Sequence, residues 1–421
     1  MTTLQTRPPF VSTFLSHSST DKPLVEAVAQ RLGYRGVLAW LDKNELTMGS
    51  LDVALKQAVQ RQATITLFLS EASLNSSWCK DELQWAIESK EDCEHLLPVY
   101  LGNPLKLVRA HDLLRRRFLH RDGDRVDQNG FFNEDDPTKP DPDAVAEEIA
   151  KTAYRRSIPQ DWSEIAIVLD QRGDGQRQEP TLPPNFANLE IPILTFRPNL
   201  QLRQKKELLT GKDWSDMVQA MHVALSTALG TVRGDVRKVR VLGNAQTSLI
   251  WAIGKHFDRT TSAELYAYDR DGIPVTNKGQ IRHTSLTGGN ANSAKLDPDT
   301  SSNLSPQLSQ VALGIGSRRF IPAVKNAVPE LPLFWIESGL ISDSEQAMQL
   351  VADIVASVEQ LRQDHGFHEI VLFWSTANHV ALLAAANLTS HVIPKIKFME
   401  WNHIEAEYVH LPMPEELIGK S

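Results

Sequence analysis

The sequence predicts an α/β protein of parallel sheets covered by helices, arranged in two units. Three observations predict it. Apolar runs of strand length alternate with helical periods through the first 157 residues, and the order strand, polar loop, helix, strand occurs twice beyond residue 160. A chain of 421 residues also exceeds what one hydrophobic core usually supports.

In the first unit, residues 10–16 (FVSTFLS) read as a strand. Residues 20–32 follow as a helix, with Ser19 or Thr20 as N-cap, Pro23 in the first turn and Gly33 past its end. Further strand-like runs are 37–42 (VLAWLD), 63–70 (ATITLFLS) and 96–101 (LLPVYL), separated by helical segments 51–62 and 78–90. Such alternation makes a parallel sheet, whose ligands sit at the carboxyl ends of the strands. Ser16, His17, Asp42 and Ser70 stand there. A polar stretch, 121–143, precedes a helix over 144–156, and 157–159 (SIP) mark a boundary.

Beyond it, 238–242 (KVRVL), the helix 246–257 and the strand 264–268 run parallel to 369–373 (EIVLF), the helix 378–388 and the strand 397–401. Earlier pieces pair likewise: 165–170 with 311–315, 191–196 with 331–336, and the helix 214–229 with 344–362. The second unit reads as two fused Rossmann-like halves, about 160–290 and 305–412. Two facing halves share one crevice, a shape suited to a pseudo-symmetric ligand. Gly243, Asn244, Gln246, Thr247 and Ser248 line one side, and Trp374, Ser375, Thr376, Asn378 and His379 the other. Both loops open helices, whose unpaired amides attract phosphate, and Trp374 is a stacking candidate for a base. These residue types are equally good helix caps. Arg203, Lys205 and Lys206 read either as phosphate contacts or as a charged, solvated face. The polar segment 271–308 is a lid ordered by ligand or a disordered connector.

Composition excludes several classes. A formal net charge of −8 opposes general adhesion to DNA or RNA and leaves a small nucleotide in a local pocket open. The N-terminus lacks a basic region before an apolar core, and no run of about 18 apolar residues occurs. The expectation is a cytoplasmic protein with no membrane partner. Cys79 and Cys93, the only two cysteines, make neither a disulfide framework nor a zinc site, so no metal is expected. Cys79 reads as a packed thiol.

Three segments, FLSHSSTDK, WLDKNELTMGS and LFLSEASLNSSWCKDEL, resemble in order and spacing the signature boxes of TIR domains. The resemblance implies a flavodoxin-like parallel sheet over 1–157 and cleavage of NAD+ into nicotinamide and an ADP-ribose product by the glutamate of the WCKDEL box, Glu82. Nicotinamide leaves as a neutral molecule and needs no proton, so one carboxylate that stabilises the oxocarbenium-like ribose suffices. Trp78 is an aromatic wall, with Ser16, Trp40 and Asp42 opposite. A glutamate in the first turns of a helix is also favoured by the helix dipole alone. His17 reads as a base or as a loop histidine. The loop 43–50 (KNELTMGS) corresponds by this resemblance to the surface through which TIR domains pack and complete one another's sites, or is an ordinary connector between strand and helix.

In the second unit FRPNLQLRQKKELLTGKDWSDMV, VLGNAQTSLIWAIG and HEIVLFWSTANHVALLAAANL resemble the SAVED family, two fused CARF-like halves, over 160–421. That resemblance implies a sensor of cyclic oligonucleotides, adenine-containing di- or trinucleotides such as cyclic triadenylate foremost. Together they imply a ligand-gated NAD+ glycohydrolase of CBASS antiphage defence that oligomerises or forms filaments, with NAD+ as substrate and no cofactor. The alternative is a TIR unit that serves as a ligand-responsive scaffold without catalysis.

Overall fold

The computed structural model describes residues 10–41, 62–89, 95–126, 130–136, 138–171, 180, 182–183, 186, 190–198, 208–232, 236, 238–257, 263–268, 274–276, 295–296, 309–388 and 395–413. Strands β1 (Ser12–Ser16), β2 (Leu38–Leu41), β3 (Thr64–Leu69), β4 (Leu96–Tyr100) and β5 (Phe131–Phe132) form one parallel sheet in the order β2-β1-β3-β4-β5. This is the doubly wound order whose direction reverses between β1 and β3, where a crevice opens at the strand ends. Alternate residues bury both faces. Val11, Leu15, Phe68, Leu97 and Val99 join one core, and Phe14, Ile65, Leu67, Leu69 and Tyr100 the other. The first face is covered by α1 (Lys22–Tyr34) and α6 (Pro142–Ser157). The second packs against α3 (Ser77–Ser89), α4 (Pro104–Arg109) and α5 (Asp112–Phe118); the short α2 (Glu71–Asn75) leads into α3.

Asp21, not Ser19 or Thr20, is the N-cap of α1. The two earlier residues lie exposed in a turn. The Asp21 carboxylate accepts from Ser18 Oγ at 2.6 Å and Ser70 Oγ at 2.7 Å, which ties the loop after β1 to the loop after β3. The helix over 51–62 and the loop 43–50 lie outside the described residues.

The second unit holds two sheets of matching design. One has the order β10-β9-β8-β6-β7, from β6 (Glu164–Asp170), β7 (Ile193–Phe196), β8 (Lys238–Asn244), β9 (Glu264–Tyr268) and β10 (Pro274–Thr276). The other has the order β11-β13-β12-β14-β15-β16, from β11 (Lys295–Leu296), β12 (Gln310–Gly316), β13 (Leu333–Glu337), β14 (Glu369–Ser375), β15 (Lys395–Asn402) and β16 (Glu407–Leu411). Equivalent strands share register: Glu164 pairs with Lys238 and Lys238 with Glu264, as Gln310 pairs with Glu369 and Glu369 with Lys395. The internal duplication read from sequence is thus a duplication of fold. Of the segment 271–308, β10 extends the first sheet and β11 the second; the remainder lies outside the described residues.

The helices α7 (Gly211–Leu229), α8 (Thr247–His256), α10 (Ser344–His365) and α11 (Asn378–Asn387) contribute to one apolar core with both sheets, while the short α9 (Ile321–Ala327) packs on the other face of the second sheet. In α8 all of residues 248–254 are buried and in α11 all of residues 380–387, as expected of helices enclosed on most sides. A Cβ on Gly254 would lie 2.4 Å from Leu382 O, so only glycine allows these helices to approach so closely.

The core runs across residues 157–159 without a break. The edge strand β7 is covered by the first unit. Val11 N donates to Ile193 O at 2.9 Å, Thr195 N to Gly36 O at 2.8 Å and Arg197 N to Gly33 O at 2.8 Å. Arg31 of α1 also meets Asp216 of α7 at 3.0 Å.

Candidate functional site

The first site lies at the β1/β3 reversal. Ser16, the last residue of β1, is 4% exposed and Glu82 of α3 is 1% exposed. Ser16 Oγ donates to Glu82 Oε2 at 2.5 Å, so a hydroxyl at a strand end holds the carboxylate of a helix 66 residues away. Beside them is a partly enclosed cavity of about 20 Å³ lined by Ser16, Leu67, Leu69, Ser73, Cys79 and His111, among others. Ser16 lines it and Glu82 does not, so the carboxylate reaches the cavity through the serine hydroxyl.

Trp40 of β2 stands opposite Phe14 of β1, and Trp40 and Trp78 both pack partly buried against the core on this face. Asp42 lies outside the described residues. His17 is half-buried with Nδ1 3.0 Å from Leu15 O. Cys79 is buried and in no disulfide. His111 is a residue that sequence reading passed over, since it belongs to none of the three boxes and follows a short helix. Its pKa lies below the ordinary histidine range, first because it is desolvated and then because Lys80 is near.

The second site is where α8 and α11 begin. Thr247 Oγ1 lies 2.9 Å from Asn378 Oδ1, and Asn378 Nδ2 donates to Ala245 O at 3.1 Å, so the two loops named from sequence meet. Asn244 is exposed at the end of β8, while Ser375, Thr376 and His379 are half-buried. Ser375 Oγ donates to Ile315 O at 3.1 Å.

Two of the named residues are placed otherwise than expected. Gln246 is fully buried and points inward: its Oε1 accepts from Gln171 Nε2 at 2.7 Å and from Leu209 N at 2.9 Å, and its Nε2 donates to Ser248 Oγ at 3.0 Å. A buried amide must satisfy its polar atoms within the protein, which explains this web. Trp374 is 7% exposed, set edge-on against Trp251 with Nε1 donating to Thr376 O at 3.1 Å, so its ring belongs to the core and is not open to stacking. Arg203 and Lys206 lie outside the described residues.

The start of α8 is already occupied. Glu400 of β15, 8% exposed, accepts from Ser248 N at 2.8 Å and from Thr247 N at 3.3 Å, bringing a carboxylate from the second half to the amides assigned to a phosphate. The start of α11 has no side-chain cap. The two halves are alike in fold and unlike in charge at this junction.

Among the described residues, no group of His, Cys, Asp and Glu is placed to hold a metal ion, and no helix is long and apolar enough to cross a membrane.

The TIR domain family model matches residues 13–130, and that of the SMODS-associated and fused to various effectors sensor domain, SAVED, matches residues 230–410. Among solved structures, the Acinetobacter baumannii Cap4 SAVED/CARF-domain containing receptor with the cyclic trinucleotide 2′3′3′-cAAA is 11% identical, with 92% of this chain and 96% of that chain covered and a TM-score of 0.42. The same receptor with 3′3′3′-cAAA is 11% identical, covering 92% and 97%, with a TM-score of 0.43. The Moraxella osloensis Cap4 SAVED/CARF-domain containing receptor is 12% identical, covering 92% and 97%, with a TM-score of 0.40. No curated protein matches the chain. The chain joins an N-terminal TIR domain to a C-terminal SAVED sensor domain on one polypeptide.

Proposed function

We propose that the protein is an NAD+ glycohydrolase switched on by a cyclic oligonucleotide, with adenine-containing rings such as cyclic triadenylate as the first candidates. The observation that carries this reading is the buried Glu82 carboxylate held by Ser16 beside a cavity at the strand-end reversal. A carboxylate fixed behind the Ser16 hydroxyl stabilises positive charge as it develops on the ribose, and its fixed position avoids reorganisation during the reaction. The C1′–N bond breaks with its electron pair leaving on nicotinamide, and water completes the hydrolysis.

The gate follows from burial. Glu82 is 1% exposed, and the cavity of about 20 Å³ lies far below the about 300–1,000 Å³ of pockets that bury small molecules. The resting site is closed to a whole dinucleotide, and the reading requires ligand binding at the Thr247 and Asn378 junction to open or complete it. Packing of TIR units into an oligomer or filament is the step we assign to that change. Depletion of NAD+ then serves antiphage defence, in a cytoplasmic protein with residues 1–157 as effector and 160–421 as sensor.

The test is release of nicotinamide from NAD+ by the purified protein with a panel of cyclic di-, tri- and tetranucleotides, beside Glu82→Gln, with particle mass followed in parallel. Release with one ligand and none from the variant supports the gated hydrolase. Silence with every ligand despite measured binding favours the scaffold, and unchanged mass at saturating ligand rejects the assembly step.

A further inference from the structure

The cavity beside Ser16 has a second polar edge that the cleavage step leaves unused. Lys80 of α3 and His111, between α4 and α5, line it together with Ser16 and Ser73. The His111 backbone is held, since its carbonyl accepts from Arg115 N at 2.9 Å. Its Nδ1 is buried and has no hydrogen-bond partner. A polar atom shut away from water without a partner is costly, and a ligand atom that supplies the partner removes that cost.

Lys80 acts on the same ring. It is exposed, and after desolvation it is the second cause that holds the imidazole below the ordinary histidine range. A cation and a basic ring converge there, and among the described residues neither is in an ion pair. An anion between them turns repulsion into two attractions and restores the imidazole proton. The direction of the site runs outward, from Ser16 at 4% exposure to Lys80 at the surface.

We propose that Lys80 and His111 form a rim subsite for the pyrophosphate of a dinucleotide whose nicotinamide riboside end lies toward Ser16 and Glu82 once the site opens. The proposal rests on the NAD+ reading and adds to it the group that selects a dinucleotide over a nucleoside. Lys80 supplies a point charge and His111 a positioned N–H.

The experiment compares NAD+ with nicotinamide riboside, which carries the same scissile bond and no phosphate. It uses the full chain with cyclic di-, tri- and tetra-adenylates and reads the ratio of the two kcat/KM values. In Lys80→Ala and in His111→Gln the ratio falls about tenfold or more, the effect of losing one charge-assisted hydrogen bond, while Lys80→Arg keeps most of it. A ratio equal to that of the unaltered protein in both variants overturns the subsite, as does an equal loss on both substrates, the mark of a structural role. Silence of the unaltered protein on both substrates overturns the NAD+ reading itself, and the subsite with it.

Discussion

Thr247 and Asn378 occupy the same position in the two halves of the sensor, each nine residues beyond the start of its strand (238 to 247, 369 to 378), and their side chains meet at 2.9 Å. A ligand bound across the junction has to engage or replace this contact. Asn378→Ala removes it together with the bond to Ala245 O. The expected loss is about 1–3 kcal/mol of stability, seen in a thermal melt, with a higher concentration of cyclic triadenylate needed for half-maximal nicotinamide release.

Ser16 is expected to act on rate through Glu82. Ser16→Ala deprives a buried carboxylate of a donor at 2.5 Å, and hydrogen bonds to charged groups are worth about 1.5–3 kcal/mol. In kcat this is a loss of about 10- to 100-fold. Glu82→Gln keeps the shape and removes the charge, so release of nicotinamide is expected to vanish with the melting curve little changed. Chromatographic quantitation of nicotinamide checks both.

Much of the fold was legible because its signals are local. Ser16 and Ser70 are found where a strand-length run meets a polar residue, and equal spacing of the duplicated pieces gave the paired sheets. What escaped depends on partners distant in sequence. Gln246 stands at the N-cap of α8, yet its side chain makes no cap bond and is a buried amide tied to Gln171, 75 residues earlier. Trp374 reads as a platform until Trp251 is placed against it. Glu400 has no motif at all and reaches the start of α8 across 152 residues. The helices α4 and α5, with His111 between them, are too short for an apolar period to show.

The close approach of α8 and α11 makes Gly254 a sensitive position. A methyl group there would meet Leu382 O at 2.4 Å and Ala385 Cβ at 2.7 Å, backbone and a neighbour that cannot rotate away. Gly254→Ala is expected to cost about 1–3 kcal/mol through overpacking, despite alanine's better helix propensity. A fall in Tm measures it, and an unchanged or raised Tm would show that the helices can separate without loss.

Asp353 on α10 supplies a pH test. Its side chain is buried, desolvation raises its pKa, and the hydrogen bond from Gln349 Nε2 at 2.8 Å opposes that only in part. A carboxyl whose folded pKa lies above its unfolded value penalises folding at high pH, and the penalty fades as pH falls through the folded value toward the unfolded one. Asp353→Asn keeps the acceptor for Gln349 and removes the charge. The variant is expected to melt higher than the unaltered protein at pH 7, with the difference shrinking as pH falls toward the ordinary carboxylate range.

Asp170 and Arg197 link the sensor to the TIR unit. Arg197 Nε and Nη2 lie 2.9 and 2.8 Å from Asp170 Oδ2, with side-chain exposures of 11% and 6%. Arg197 N reaches Gly33 O of the TIR unit, while Gln171, next to Asp170, is bonded to Asn244 and Gln246 at the sensor loop. Removing one partner of a buried pair leaves an uncompensated charge, at a cost of about 3–5 kcal/mol. Asp170→Ala is therefore expected to lower Tm strongly. Arg197→Met also lowers Tm, because Asp170 loses the guanidinium, but it keeps much of the packing, and Arg197 N and its bond to Gly33 O remain. If the side-chain pair carries the signal, this variant binds cyclic triadenylate with near-unaltered affinity by calorimetry and releases nicotinamide at least about tenfold more slowly at saturation, a coupling loss of about 1.4 kcal/mol. Equal release at saturation would mean that the backbone contacts at Gly33 and Gly36 transmit the change without the ion pair.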